Sequence, residues 1–342
     1  MKKPIEPSRA AFEDVVVSLV VPVFNERMML PLFFERVLSV LKQLSLRWEI
    51  VFVDDGSKDG SSQYIQEVIA NEKRIRLVRL SRNFGKEAAV TAGLEQTRGK
   101  AIIVLDADLQ DPPEYIPAMI ESWQSGVEVV LMQRRSRAGE SCLKRWSAHI
   151  YYRLLNLTSQ TDIPVDTGDF RLMSRKAVDA LLTLKERNRY MKGLFAWVGM
   201  STAIIRYDRA PRAAGETKWD YPALIGLALE GLTSFSISPL RWAIGMGLLA
   251  ASLGVIFGLW IVIKTLLLGE VTSGYPSLIA MVSFLGGVQL LSVGILGEYV
   301  GKTYMEAKQR PIYVIEEIVE NLKKVEQEIN YELVESSYVK TV

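Results

Sequence analysis

Short apolar runs alternate with amphipathic stretches along the N-terminal part of the chain. The apolar runs are rich in β-branched residues and are bounded by polar ones, which is typical of strands covered on both faces. They predict strands at residues 15–23, 49–53, 75–80, 101–105 and 127–132. Between the strands, apolar residues spaced three and four apart predict helices, one of which begins near Pro31. This alternation predicts a doubly wound α/β fold with a mostly parallel sheet.

The segments after this alternation predict a more mixed set of elements. They predict a helix, a polar turn that enters a helix, and two strands, in that order at residues 143–157, 166–175, 202–207 and 311–319. Residues 221–240 have Glu230 as their one charged residue. We interpret that segment as a helix lying in a membrane interface, with an ordinary amphipathic core helix as the alternative.

Two long uncharged runs stand out near the C-terminus, at residues 242–263 and 276–297. Each is about as long as a helix that crosses a hydrocarbon core of about 30 Å. They predict two transmembrane helices, with a pair of buried core helices as the alternative. Basic residues flank the pair, namely Arg241, Lys302, Lys308 and Arg310. Because cytoplasmic flanks are enriched in Lys and Arg, we expect the N-terminal domain and both termini to lie in the cytoplasm, at a bacterial inner membrane.

The chain is therefore expected to consist of six segments. These are an N-terminal extension (1–14), an α/β catalytic domain (15–220), a juxtamembrane interfacial helix (221–240), two transmembrane helices (241–264 and 276–298) and a cytoplasmic tail (299–342). The first segment is charged and contains proline, which does not fit a signal peptide. Cys142 is the single cysteine, so no intrachain disulfide forms, in keeping with a reducing compartment.

Charge and motif content exclude several classes of function. Lys and Arg total 41 against 39 Asp and Glu, which gives no basic excess for nucleic-acid binding. His149 is the only histidine, so a histidine-based triad or a multi-histidine metal site is excluded unless another chain contributes. The chain also lacks the Gly-x-x-x-x-Gly-Lys-Ser/Thr motif of P-loop enzymes.

Polar clusters follow four of the predicted strands. They are Asn25 with Glu26, Asp54 with Asp55, Asp106 with Asp108, and Arg134 with Arg135 and Arg137. Because the carboxyl ends of parallel strands meet at one edge of a sheet, we expect these clusters to lie together. Carboxylates suit a hard divalent cation and arginines suit phosphate oxygens, so the edge predicts a site for a metal-bound diphosphate. The alternatives are an Asp/Pro turn for the third cluster and a solvated basic loop for the fourth.

These clusters belong to motifs that resemble a known family. They are Pro22-Val23-Phe24-Asn25-Glu26, Asp54-Asp55-Gly56-Ser57, Arg82-Asn83-Phe84-Gly85-Lys86, Asp106-Ala107-Asp108-Leu109-Gln110-Asp111-Pro112-Pro113-Glu114 and Gly168-Asp169-Phe170-Arg171. In this order they resemble family 2 glycosyltransferases of the GT-A fold. The resemblance extends to polyprenyl-phosphate glycosyltransferases, the group of dolichol-phosphate mannosyltransferase and bactoprenol glucosyltransferases. It continues through Arg212 and residues 215–219, before the first span, to residues 294–299 at the end of the second.

The resemblance implies a role for each candidate residue. The uracil, ribose and sugar of a UDP-sugar would contact Pro22, Asn25, Glu26, Asp54, Asp55, Lys86 and Asp106. Mg²⁺ or Mn²⁺ would be bound by Asp106, Asp108 and Gln110, and phosphates of the donor or lipid by Arg134, Arg135, Arg212 and Lys218. The catalytic pair would be Asp169 and Asp108, with Asp169 orienting a substrate or accepting a proton. The alternative for Asp169 is a helix N-cap.

The implied reaction is inverting transfer of a hexose, with glucose favoured, from a UDP-sugar to undecaprenyl phosphate. Galactose, N-acetylhexosamines, mannose and aminoarabinose stay open, because a few hydrogen bonds decide sugar choice. A processive polysaccharide synthase is one alternative, but Cys142 and Ser238 stand where its Gln-x-x-Arg-Trp motif requires Gln. A non-catalytic nucleotide-sugar-binding membrane module is the other. The sequence permits a homo-oligomer without requiring one.

Overall fold

A computed structural model describes residues 15–135, 153, 167–187, 189, 191–208, 233, 236–268 and 274–321. The strands are β1 (Val17–Val23), β2 (Trp48–Asp54), β3 (Ile75–Leu80), β4 (Ala101–Val104), β5 (Val129–Arg134), β6 (Thr167–Ser174), β7 (Thr202–Tyr207) and β8 (Ile315–Val319). The helices with described bounds are α1 (Leu30–Gln43), α2 (Ser61–Ile69), α3 (Lys86–Gln96), α4 (Ile116–Gln124), α5 (Arg175–Thr183), α6 (Met191–Trp197), α7 (Ser238–Leu268) and α8 (Tyr275–Ala307). A short 3₁₀ turn at Pro113–Tyr115 precedes α4.

The strands form one mostly parallel sheet in the order β7-β5-β6-β4-β1-β2-β3-β8. The pairs β1–β2, β1–β4, β2–β3 and β5–β7 are parallel, as the alternation of strands and helices predicts. Two strands run the other way: β6 is antiparallel to both β4 and β5, and β8 is antiparallel to β3. The α/β fold class is confirmed, and these two reversed strands are the additions to it.

The prediction of a polar turn at residues 166–175 is wrong, because this segment contains β6. Phe170 and Leu172 point into one hydrophobic core and Met173 into another, so both faces of the strand are buried. Arg171 is also buried, and its charge hides the apolar pattern that would predict a strand. The following helix is capped by Ser174, whose Oγ accepts a hydrogen bond from Ala177 N at 3.1 Å. Asp169 therefore lies inside a strand and does not cap a helix.

Hydrophobic cores lie on both faces of the sheet, and α3 packs closely against one of them. Val90 and Leu94 of this helix lie in the same cluster as Val20 of β1. A Cβ at Gly93 would lie 2.4 Å from Val20 Cγ1, so glycine is what lets the helix approach the sheet. This close packing fixes the N-terminus of α3, and with it Lys86, at the edge where the parallel strands end.

The two C-terminal helices, α7 and α8, contact each other and expose most of their apolar side chains. By length and composition both are able to cross a membrane, over Ser238–Lys264 and Met281–Ala307. The predicted helices at 241–264 and 276–298 are confirmed as helices. Of the predicted interfacial helix at 221–240, only Thr233 and residues 236–240 are among the described residues. Of the predicted helix at 143–157, only Arg153 is. The domain boundaries stay predictions.

The chain returns to the sheet after α8. Arg187, in the loop after α5, donates its backbone N–H to Glu306 Oε1 at 2.7 Å and its Nε–H to the Arg310 carbonyl at 2.8 Å. β8 then pairs with β3 and forms the edge of the sheet, with Arg79 opposite Glu317. The predicted strand at 311–319 is confirmed, in the shorter range Ile315–Val319.

Candidate active site

The carboxyl ends of β1, β2 and β4 lie side by side. Val23 is paired with Asp54 across β1 and β2, and Val20 with Val104 across β1 and β4. The polar residues after these strands therefore meet at one edge, as parallel pairing predicts. What differs among them is the partner that each side chain finds there.

Asp54 and Asn25 shape the loop after β2. Asp54 Oδ1 accepts a hydrogen bond from Ser57 N at 3.0 Å, and its other oxygen accepts one from the Ser62 hydroxyl. Asn25 adopts a φ of 54° and its Oδ1 accepts from Lys58 N at 2.9 Å. Both side chains thus fix the backbone of the loop after β2 by accepting hydrogen bonds from its amides. Both also line an open cleft, described below.

Asp55 anchors the start of α3. Its two carboxylate oxygens accept hydrogen bonds from Phe84 N at 2.7 Å and Gly85 N at 2.9 Å. Burial raises the pKa of Asp55, and the two amide hydrogen bonds partly oppose that rise. A Cβ at Gly56 would lie 2.7 Å from the Arg82 carbonyl carbon, so the two loops touch here. The carboxylate of Asp55 places the residue that follows Gly85, which is Lys86.

Lys86 joins two of the predicted site residues into one cluster. Its Nζ lies 2.7 Å from Asp106 Oδ2 and 2.6 Å from Asp169 Oδ2. Burial raises the pKa of Asp106, as does the charge of Asp169, while Lys86 lowers it. Burial lowers the pKa of Lys86, but the two carboxylates outweigh burial and the net shift is upward. We call Lys86, Asp106 and Asp169 the charged cluster.

Arg171 adds a buried positive charge beside this cluster. Its guanidinium lies 3.8 Å from the centre of the Phe195 ring, and Nη2 donates to the Gly168 carbonyl at 2.6 Å. Burial lowers the pKa of Arg171 to about 10, with the charges of Asp169 and Glu87 opposing that fall. The buried guanidinium of Arg171 therefore interacts electrostatically with Asp169 from within the protein. Lys86 contacts Asp169 at the edge where the parallel strands end.

Asp108 faces different partners from Asp106. Strand β4 ends at Val104, one residue before the predicted end, and residues 107–109 form a turn with Leu109 at a φ of 54°. Both carboxylates therefore follow the end of the strand, so strand alternation alone does not decide the direction of their side chains. Asp108 is buried, and its Oδ1 accepts from Gln110 N at 3.1 Å.

A buried network supports the far side of this turn. The hydroxyl of Tyr207, the last residue of β7, donates to Asp111 Oδ1. Burial and the charge of Asp111 raise the pKa of Tyr207, and Arg134 opposes the rise as a hydrogen-bond partner. Arg135 instead is exposed and lies 3.6 Å from Asp208. Arg134 and Arg135, both predicted to bind phosphate, therefore have unlike surroundings.

An open cleft of about 560 Å³ lies at the ends of β1, β2 and β3. Its walls combine hydrogen-bonding groups with cations and are formed by residues including Phe24, Asn25, Asp54, Ser57, Lys58, Arg79, Arg82, Asn83 and Glu316. Among the predicted site residues, Asn25 and Asp54 line this cleft, whereas Pro22 is half-buried in β1 and Glu26 donates its backbone N–H to Ser61 Oγ at 3.1 Å. Arg212 and Lys218 lie outside the described residues.

The donor set fits a divalent cation only together with a substrate phosphate. Within the described ranges, no three carboxylate, thiol or imidazole groups converge as metal ligands. Asp106 and Asp108 supply hard carboxylate oxygens, and Mg²⁺ is commonly bound by one or two carboxylates plus substrate phosphates and water. The side chains at this rim thus suit a metal–diphosphate complex better than a bare ion. A ligand role for Gln110 stays a prediction.

Several residues of this region had no assigned role from sequence, among them Arg79, Arg171, Tyr207 and Glu316. Arg171 sits within a motif that the resemblance already contained, which was its only signal. The other three follow from pairings between distant strands, and no local pattern indicates them.

Comparison with known proteins identifies the family. Residues 18–182 match the model of glycosyl transferase family 2. The prophage bactoprenol glucosyl transferase homolog of Escherichia coli is 46% identical over 302 residues, covering 88% of this chain and 99% of that protein. An uncharacterized glycosyltransferase of Synechocystis is 43% identical over 304 residues, covering 89% and 96%. The chain belongs to glycosyltransferase family 2.

Within that family, the chain is similar over most of its length, including the two long C-terminal helices, to bactoprenol glucosyl transferases. The bactoprenol glucosyl transferase of Shigella phage SfV is 46% identical over 299 residues, covering 87% of this chain and 97% of that one. A glucosyl-3-phosphoglycerate synthase of Mycobacterium tuberculosis, crystallised with Mn²⁺ and UDP-glucose, aligns with a TM-score of 0.44 at 18% identity over 66% of this chain and 79% of that one. That distant likeness carries no inference about ligands.

Proposed function

We propose that this protein transfers glucose from UDP-glucose to a polyprenyl phosphate such as undecaprenyl phosphate. The observation that carries the proposal is the charged cluster of Lys86, Asp106 and Asp169 beside a polar cleft at the ends of the parallel strands. Support also comes from bactoprenol glucosyl transferases that are 46% identical over nearly the whole chain. Nothing in the described residues favours a processive synthase or a non-catalytic module.

The chemistry needs little base catalysis, because the acceptor is already charged. A phosphate monoester has a second pKa of about 6, so most acceptor molecules are dianionic near pH 7. A lipid phosphate oxygen attacks the anomeric carbon, the bond from that carbon to the donor diphosphate breaks, and UDP leaves with the electron pair. One displacement of this kind inverts the anomeric centre, so an α-linked donor gives a β-linked product.

The charged cluster positions and balances the reacting groups. Asp169, held by Lys86 at 2.6 Å, orients the sugar or the acceptor and takes the residual proton where the acceptor carries one. Lys86 keeps Asp106 and Asp169 together, although their like charges repel. A divalent cation held by Asp108 and Asp106 together with the donor diphosphate would offset the charge that develops on the leaving group. Arg134, Arg135, Arg212 and Lys218 are the candidates for phosphate contacts.

The membrane helices bring this rim to its lipid substrate. We assign α7 and α8 as transmembrane helices, with the catalytic domain and both termini on the cytoplasmic side of a bacterial inner membrane. Anchoring confines the enzyme and a membrane-bound acceptor to the same membrane, which raises their effective concentration. A homo-oligomer is compatible with this arrangement and is not needed for it.

The test is a panel of labelled nucleotide sugars presented to the purified full-length protein with Mg²⁺ or Mn²⁺ and undecaprenyl phosphate. We expect UDP-glucose to give the highest rate of label transfer to the lipid. Transfer from a different UDP-sugar would correct the sugar and keep the reaction. A complete lack of transfer from every donor would refute the proposed function.

A further inference from the structure

The cleft at the ends of β1, β2 and β3 has one wall that does not come from the N-terminal domain. Glu316, on β8, follows both long helices in sequence, yet it lines the cleft together with Asn25 and Asp54. The residues that match the family model end at 182, so this wall lies outside the matched domain. A part of the cleft is therefore supplied by the segment after the second long helix.

Glu316 and its neighbour Glu317 both form ion pairs with Arg79, which lines the same cleft. Glu317 Oε2 accepts a hydrogen bond from Arg79 Nη1 at 2.9 Å, and Glu316 Oε2 lies 3.3 Å from Arg79 Nη2. About a third of the Arg79 side chain stays exposed, at 34%. A guanidinium has five N–H donors, so these two carboxylates leave donors over for a ligand in the cleft.

The strand that carries these carboxylates is also anchored at points away from Arg79. Ser81 N donates to the Val314 carbonyl at 2.9 Å, and Tyr313 packs on the core cluster of Val53 and Leu80. Further along, Arg98 Nη2 lies 3.3 Å from Glu320 Oε2. These contacts attach the strand to the sheet without Arg79. The two ion pairs with Arg79 are therefore not needed to hold the strand in place.

We infer that Glu316 and Glu317 are positioning residues that hold Arg79 for the nucleotide part of the donor, so that the segment after the membrane helices completes the donor cleft. The inference rests on the proposed function for the identity of the donor. Without these carboxylates, the Arg79 side chain would sample many rotamers. The two ion pairs remove most of that rotamer freedom before a ligand binds. The cations and amide groups of this cleft suit the carbonyl oxygens, hydroxyls and phosphates of a nucleoside diphosphate.

The experiment measures UDP binding to the full-length protein in detergent by isothermal titration calorimetry. The variant Glu316→Gln/Glu317→Gln keeps the size of both side chains and removes their charge. We expect its dissociation constant for UDP to rise by about three- to tenfold, the range expected for two partly exposed ion pairs. The KM for the donor should rise with it, while kcat changes little. Glu320→Gln, which breaks the strand's other ion pair, is the matched control and should stay within about twofold of wild type.

A charge exchange separates donor binding from simple fastening of the strand. Arg79→Glu/Glu317→Arg keeps an opposite-charge pair at the same register, so its thermal unfolding midpoint should be close to the wild-type value. UDP binding should stay weak, because the cation has moved from β3 to β8. Full recovery of UDP binding would overturn the inference, and so would equal losses in Glu316→Gln/Glu317→Gln and Glu320→Gln. A wild-type protein that binds no UDP would instead refute the donor assignment of the proposed function.

Discussion

Two acidic pairs at the same edge of the sheet have opposite surroundings. Asp54 ends β2 and Asp55 follows it, and their oxygens accept hydrogen bonds from backbone amides and from the Ser62 hydroxyl. Asp106, after β4, and Asp169, within β6, instead share the ammonium of Lys86. In sequence, Asp54-Asp55 and Asp106-Ala107-Asp108 both look like metal or nucleotide sites.

The difference lies in how easily a ligand can replace the present partner. A backbone amide is fixed by the fold, so releasing Asp55 would undo the start of α3. A lysine side chain is flexible, so Asp106 and Asp169 are able to exchange Lys86 for a substrate group. We therefore expect Asp55 to contribute mainly to stability and the charged cluster mainly to activity, and four substitutions test that division.

The largest expected effect is that of Asp169→Asn. It removes the negative charge from the charged cluster and should lower kcat by about 10²- to 10⁴-fold, the usual contribution of a positioned acid or base. The thermal unfolding midpoint should change little. Asp179→Asn, on the exposed side of α5, is the control and should leave both quantities unchanged. Activity near wild type in Asp169→Asn would remove Asp169 from the mechanism.

Lys86→Met should lower kcat/KM by about 10- to 100-fold, because it removes two charge-assisted contacts at the rim. Lys86 also lowers the pKa of Asp106, so its loss should raise that pKa further above the ordinary value. The protonated fraction of Asp106 then grows at mildly acidic pH. The acid limb of the pH–rate profile should accordingly move to higher pH, and a shift to lower pH would contradict the assigned pairing. Lys176→Met, at an exposed pair with Glu128, is the control.

Asp55→Asn should reverse the pattern seen for Asp169. The amide keeps one acceptor oxygen but loses the charge and one of two hydrogen bonds to Phe84 and Gly85. The free energy of unfolding should fall by about 1.5–3 kcal/mol. In a thermal melt that corresponds to a midpoint lower by about 3–10 °C. An unchanged midpoint with a large loss of activity would show that Asp55 acts on substrate, as the sequence resemblance implies.

Tyr207→Phe should have the smallest effect. It removes the hydrogen bond to Asp111 in the buried network below the Asp106–Asp108 turn. We expect a loss of about 1 kcal/mol in stability and a fall of about threefold in kcat/KM. A fall in kcat as large as that of Asp169→Asn would place the Tyr207 hydroxyl in the reaction itself.

The sequence predicted most of the sheet because apolar and β-branched residues dominate its parallel strands, even where Arg76 and Arg79 interrupt β3. Residues 75–80 and 202–207 agree with β3 and β7 at both ends, and the other parallel strands agree within one or two residues. β6 was not predicted, because it begins with Thr167, Gly168 and Asp169, and Arg171 then interrupts its short apolar part. Its insertion between β4 and β5 is also what brings Asp169 to Lys86, so the charged cluster could not be predicted from spacing.

The candidate site was predicted as a set of residues and not as a set of contacts. Asn25, Asp54 and Asp106 do meet at one edge, which follows from parallel pairing alone. Their partners depend on side-chain packing and on strands that are far apart in sequence. Glu316 is the clearest example, because it reaches the cleft only through the antiparallel pairing of β8 with β3.

The most direct test of the proposed function follows a glucose label from UDP-glucose in the presence and absence of undecaprenyl phosphate. Lipid and water phases are separated after a single turnover, and the anomeric configuration of any lipid product is read by NMR. We predict that label enters the lipid phase only when the polyprenyl phosphate is present, as a β-linked glucosyl phosphate. Label that stays in the water phase with every polyprenyl phosphate supplied would contradict the account.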